Sequence, residues 1–164
     1  MLRTTSAADT RSAAAAAAKT LQAGDVVSLT GELGAGKTCF VQGVAKAIGV
    51  DRRVTSPTFM LVRRYDDADI PLVHVDVYRL DRLQDVLDLG DEVMAPNRLT
   101  VIEWGDAIGA LLPADRLEIE IRLAEDELDA DRILELRGHG AWTDRLAELE
   151  AACASWAWND EGVA

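Results

Sequence analysis

The chain has 164 residues, 49% hydrophobic and 28% charged, which suits one globular domain with a sizeable core. Its formal net charge of −12 repels nucleic-acid phosphates and excludes tight direct binding of RNA or DNA unless a partner supplies the basic surface. Cys39 and Cys153, far apart in sequence, make neither a disulfide framework nor a zinc site.

The first element predicted is an alanine-rich helix over Ser6–Leu21, with Thr5 or Ser6 as N-cap and Gly24 shortly past its end. Arg3 and the run Ala13–Ala18 superficially suggest a signal peptide. Asp9, Arg11 and Lys19 interrupt that pattern, and six alanines are too short an apolar region. No segment reaches transmembrane length, and the reading is a cytoplasmic protein. Asp25–Thr30 is a short β-branched stretch suited to a buried parallel strand.

Residues 31–38 read Gly-Glu-Leu-Gly-Ala-Gly-Lys-Thr, a complete G-x-x-x-x-G-K-[ST] phosphate-binding loop. Phe40, Val41, Val44, Ala45 and Ile48 then recur at helical spacing, and Gly49 closes the helix. Strand, loop and helix follow in the order that aims backbone N–H groups and a helix N-terminus at a polyphosphate. Gly31, Gly34 and Gly36 permit close backbone approach, Lys37 would reach the β- and γ-phosphates, and the Thr38 hydroxyl would ligate Mg²⁺. Cys39, directly behind, is read as packing.

Ser56-Pro57-Thr58 forms a polar turn before a strand at Phe59–Val62, and Asp66–Asp69 is a further turn. Pro71–Asp76 is a strand, Arg82–Leu89 a short helix and Asp91–Ala95 a turn or second helix. Leu99–Glu103 is a buried strand, Leu117–Leu123 and Ile133–Arg137 are neighbouring strands, and Trp142–Ser155 is a closing amphipathic helix. A loose tail is expected from roughly residue 156 to 164. The fold class is therefore α/β: a P-loop NTPase-like, three-layer single domain over 1–164 with a mostly parallel central sheet and an antiparallel edge.

Ligands of open α/β sheets bind at the carboxyl ends of strands. Two apolar strands end on acids, Asp76 and Glu103, on the edge that carries the phosphate loop. Either acid alone could be a cap or a turn residue. Two beside a phosphate loop favour a metal site, one holding Mg²⁺ and the other orienting the attacking water. Asp106-Ala107-Ile108-Gly109 matches the D-x-x-G of GTPases but lies beyond the strand-end acid, and N-K-x-D is absent, which favours ATP over GTP. His74, inside an apolar strand, is read as a hydrogen-bonded core residue. Trp104 packs near the nucleotide or fills the core, and Arg79 is read as a salt-bridge residue.

Gly31–Thr38, Ser56-Pro57-Thr58-Phe59, His74-Val75-Asp76-Val77-Tyr78-Arg79-Leu80 and Val101-Ile102-Glu103-Trp104 occur in this order. The ordered set, over roughly residues 5 to 137, resembles the TsaE family of bacterial tRNA threonylcarbamoyladenosine biosynthesis. The resemblance implies slow hydrolysis of ATP·Mg²⁺ in complex with a TsaB–TsaD heterodimer, to which the transferase chemistry belongs, with tRNA met only through that complex and no membrane involved. It implies that Leu33, Gly34, Ala35, Gly36, Lys37 and Thr38 cradle the phosphates, Thr38 and Glu103 hold the metal, and Asp76 assists catalysis. Ser56-Pro57-Thr58 matches a switch-like segment near the γ-phosphate, and Ser6–Thr10 and Arg132 match parts around the adenine. Cys39 stands where many members carry a Thr that touches the α-phosphate, and Asp131 where they carry Gly. The competing readings are a small-molecule kinase of the same fold and an ATP-switched interaction module that barely hydrolyses.

Overall fold

A computed structural model describes residues 1–57, 61–78, 95–124 and 131–159. Seven strands form one sheet: β1 (Leu2–Thr4), β2 (Val26–Thr30), β3 (Val62–Tyr65), β4 (Leu72–Asp76), β5 (Leu99–Glu103), β6 (Arg116–Leu123) and β7 (Arg132–His139). Their spatial order is β1-β7-β6-β2-β5-β4-β3. The central pairs β6·β2, β2·β5 and β5·β4 are parallel, whereas β1·β7, β7·β6 and β4·β3 are antiparallel. The sheet is thus parallel at its core, as expected, and antiparallel at both edges.

The helices are α1 (Ala7–Ala17), α2 (Lys37–Ala47) and α3 (Trp142–Ala152). Ser6 caps α1 by accepting from the Asp9 amide at 3.1 Å, and Asp9 returns the bond by accepting from the Thr5 amide at 3.0 Å. Two orphan amides are satisfied reciprocally, as in a capping box. The helix gives way to a 3₁₀ turn at Ala18–Thr20, short of the Leu21 end predicted. Helix α2 lies against the sheet through Phe40, Val41 and Val44, which meet Val27, Leu29 and Val101 in the larger core. Across the sheet, Val26, Val73, Val75, Val77 and Ile102 make a smaller core, covered among the described residues by Trp104, Ile108 and Leu112 on and beside the 3₁₀ segment Gly105–Leu111.

Three further local expectations change. β1 was not foreseen; it is a three-residue edge strand whose partner lies at the far end of the chain, with Leu2 paired to Leu134. The strand expected at Phe59–Val62 begins at Val62 among the described residues and runs on to Tyr65. The C-terminal segment is held rather than loose as far as Trp158. Trp156 Nε1–H donates to Asp9 at 2.6 Å, Ala157 bridges to Leu2, and the Trp158 amide donates to the Met1 carbonyl. Thr58 of the predicted switch segment, Arg79, the helix at 82–89 and most of the 91–95 turn lie outside the described residues. No described helix is long and apolar enough to cross a membrane.

Candidate functional site

The strand register assembles the site. In the parallel pair β4·β5, Asp76 stands directly opposite Glu103, and in β5·β2 Glu103 stands opposite Leu29. Two residues beyond Leu29 the chain leaves the sheet at Gly31 and enters the loop, and α2 begins at Lys37 with Gly36 as its N-cap. Loop, helix N-terminus and both acids therefore share one sheet edge. Between them lies a cavity of about 490 Å³ whose walls include Gly34, Lys37, Thr38, Asp76, Glu103 and Trp104. That volume is within the range of small-molecule sites, about 300–1,000 Å³.

Thr38 Oγ1 donates to the Glu103 carboxylate, 2.8 Å from Oε1 and 2.9 Å from Oε2. Oε1 also lies 2.8 Å from Nε2 of His74, a fully buried side chain. Asp76 accepts from Ser56 Oγ at 2.5 Å through Oδ2 and from the Tyr78 amide at 3.0 Å through Oδ1. Lys37 Nζ donates to the carbonyls of Gly31 at 2.6 Å and Glu32 at 2.9 Å, and it lies 3.6 Å from the centre of the Trp104 ring. Burial pushes the Lys37 pKa below its usual value, and Glu103, Asp76 and Asp106 oppose the shift. Trp104 reaches this position in a left-handed conformation, φ 62, which costs a bulky residue roughly 1–2 kcal/mol. Tyr78 packs on it with ring centroids 4.9 Å apart.

Of the residues predicted for the site, Leu33, Gly34, Gly36, Lys37, Thr38, Cys39, Asp76 and Glu103 line this cavity. Gly31 and Ala35 do not: Gly31 lies under the loop against β6, and the Ala35 side chain is buried in the core. Arg132 does not line it either; its Nε–H donates to the Ala35 carbonyl at 2.9 Å and so braces the loop from β7. The Cys39 thiol donates to the Ala7 carbonyl at 3.1 Å, joining α2 to the start of α1. Sequence reasoning missed His74 as a partner of Glu103 and gave Tyr78 no role. The signal for His74 was its spacing: His74 and Asp76 are two apart on one strand and so share a face.

A glycine loop between strand and helix, on the carboxyl edge of a parallel-cored sheet with acids on adjoining strands, is the architecture of P-loop α/β proteins. Within that class the chain belongs to the TsaE family: the family described as "Threonylcarbamoyl adenosine biosynthesis protein TsaE" matches residues 4–133. It is 40% identical over 125 residues to the tRNA threonylcarbamoyladenosine biosynthesis protein TsaE of Bacillus subtilis, covering 76% of this chain and 78% of that one. The Streptomyces coelicolor protein of the same name is 42% identical over 127 residues, covering 75% and 86%. The crystal structure of Bacillus subtilis YdiB superposes with a TM-score of 0.74 at 32% identity, covering 93% of this chain and 92% of that one.

Proposed function

We propose that this chain is a Mg²⁺-dependent ATPase of tRNA threonylcarbamoyladenosine modification, hydrolysing ATP slowly to drive the cycle of a TsaB–TsaD heterodimer. The observation that carries the reading is the Thr38 hydroxyl set against both oxygens of Glu103, beside Lys37 and the helix N-terminus. Hydroxyl and carboxylate oxygens suit Mg²⁺, a hard cation that takes one or two carboxylates and completes its shell with phosphate oxygens and water. Thr38 and Glu103 would hold the metal, which would offset charge on the phosphates. Lys37 and the amides of 33–38 would bind those phosphates, and Asp76, steadied by Ser56 and the Tyr78 amide, would orient water.

ATP is favoured over GTP because the sequence has no N-K-x-D. Lys37 is the only cation among the described lining residues, and an arginine from a partner can add about 10³–10⁵ in rate. Slow hydrolysis alone and stimulation in the complex follow. The net charge of −12 leaves contact with tRNA to the partners.

The test is reconstitution of purified chain, ATP, Mg²⁺ and the TsaB–TsaD pair on tRNA. Multiple rounds of modification are expected with wild type and about one round with Lys37→Ala, which should lose tight ATP binding. Glu103→Ala should lose Mg²⁺-dependent hydrolysis while keeping most nucleotide affinity. Equal turnover with and without the chain would overturn the pathway role, and wild-type ATP binding by Lys37→Ala would overturn the loop assignment.

A further inference from the structure

We infer that His74 is a positioning residue for Glu103, holding its carboxylate in the orientation that faces Thr38; the inference rests on the proposed metal role of Glu103. On β4, His74 pairs in register with Val101 of β5 and Arg63 of β3. Glu103 is two residues along β5 from Val101, the diagonal neighbour that a long side chain can reach. His74 Nε2 is 2.8 Å from Glu103 Oε1, and the imidazole is fully buried. Both Glu103 oxygens already act as acceptors towards Thr38 Oγ1, and an acceptor at Oε1 calls for Nε2–H as the donor.

The other nitrogen has no competing bond. His74 Nδ1 is buried and has no hydrogen-bond partner among the described residues. The hydrogen bond at Nε2, to Glu103, is thus the one side-chain bond of the ring among the described residues. Packing alone does not account for it, because a leucine here, opposite Val101 and two residues from Leu72 on the same face, would carry no polar cost. With Thr38 on both oxygens and His74 on one, the carboxylate is fixed from two elements, α2 and β4. Partners that orient a metal-binding carboxylate in this way typically matter by about 10–100-fold in metal affinity.

The experiment uses the full chain as wild type, His74→Leu and His74→Gln, since the glutamine amide nitrogen can take the place of Nε2. A fluorescent ATP analogue is titrated in EDTA and then with Mg²⁺, with thermal melting recorded for each protein. His74→Leu should raise the half-saturating Mg²⁺ about 10–100-fold while analogue affinity in EDTA stays within about twofold. His74→Gln should return to within about threefold of wild type. Unchanged Mg²⁺ dependence in His74→Leu, or equal loss in both variants, overturns the inference. Should His74→Leu fail to fold, the imidazole ¹⁵N–¹H spectrum of ligand-free wild type decides: hydrogen on Nε2 supports the assignment and hydrogen on Nδ1 overturns it. Wild type whose analogue binding ignores Mg²⁺ removes the metal reading itself, while the ring spectrum still reports the His74–Glu103 bond.

Discussion

Replacing Gly31 and Gly34 by alanine, one at a time, separates two reasons for glycine within the same loop. In β2·β6, Thr30 lies opposite Glu120, so Gly31 leaves the sheet alongside Ile121. A Cβ at Gly31 would stand 2.0 Å from the Ile121 carbonyl oxygen, an atom of strand backbone that cannot swing aside. Gly31 also has φ +129, where a side chain is strained. The conformational cost is about 1–2 kcal/mol and forced displacement of a packed strand adds about 1–3 kcal/mol. The sum is about 2–5 kcal/mol, or roughly 4–20 °C in Tm at about 2–4 °C per kcal/mol for a chain of this size. Gly34 has φ +82, but no atom lies within 4 Å of its would-be Cβ, so only the conformational cost applies, about 1–2 kcal/mol and roughly 2–8 °C. Calorimetry of the ligand-free variants in EDTA measures both. Gly31→Ala melting within about 2 °C of wild type, or Gly34→Ala falling as far as Gly31→Ala, would refute the reasoning.

Two further predictions concern the scaffold. Arg145 on α3 forms a bidentate pair with the buried Asp25, at 2.6 and 2.9 Å, and also donates to the Thr20 carbonyl. Arg145→Met leaves that carboxylate without its counter-charge, with the Gln22 amide still donating to it, and should cost on the order of 3 kcal/mol, or about 6–12 °C; adding Asp25→Asn should recover part of the loss, and no loss in the single variant would sink the account. Burial pushes the Cys153 thiol up to about 11 from 9.0, so an alkylating reagent at neutral pH should leave it unmodified until the chain unfolds, as intact and digested mass would report. Its folded pKa is raised, so its stabilising contribution is complete below pH 9.0 and falls as pH rises towards 11; a melting profile flat across that window refutes the assignment.

What the sequence made legible is what depends on neighbours in sequence. The phosphate loop is eight contiguous residues flanked by two clear periodicities, and Asp76 and Glu103 end apolar runs, so residue order alone sets loop and acids on one edge. β1 could not be read the same way. Three residues carry no alternation, and Leu2–Thr4 becomes a strand only because β7 arrives beside it from residues 132–134. The C-terminal segment is similar: its three bonds run to Asp9, Leu2 and Met1, contacts that composition does not encode. The partners of the acids were equally hidden, because His74 meets Glu103 through a diagonal step between strands and Ser56 meets Asp76 from 20 residues away. The bond by which Arg132 braces the Ala35 carbonyl from β7, 97 residues away in sequence, was hidden in the same way.

The charges of the cavity argue for one order of events on the proposed reading. Asp76 and Glu103 are buried in its wall, and Lys37 is drawn back onto the Gly31 and Glu32 carbonyls and the face of Trp104. A bare triphosphate entering would bring several negative charges against two carboxylates with a single ammonium to offset them. Between groups as buried as these two carboxylates such repulsion is poorly screened. A divalent cation removes the conflict, because Glu103 then faces a positive ion instead of phosphate oxygens. On that reading Glu103 would oppose the nucleotide alone and support the nucleotide with its metal. That double role is why Glu103→Ala is expected to separate binding from Mg²⁺ dependence, and why a bond that fixes the direction of this one carboxylate would carry functional weight.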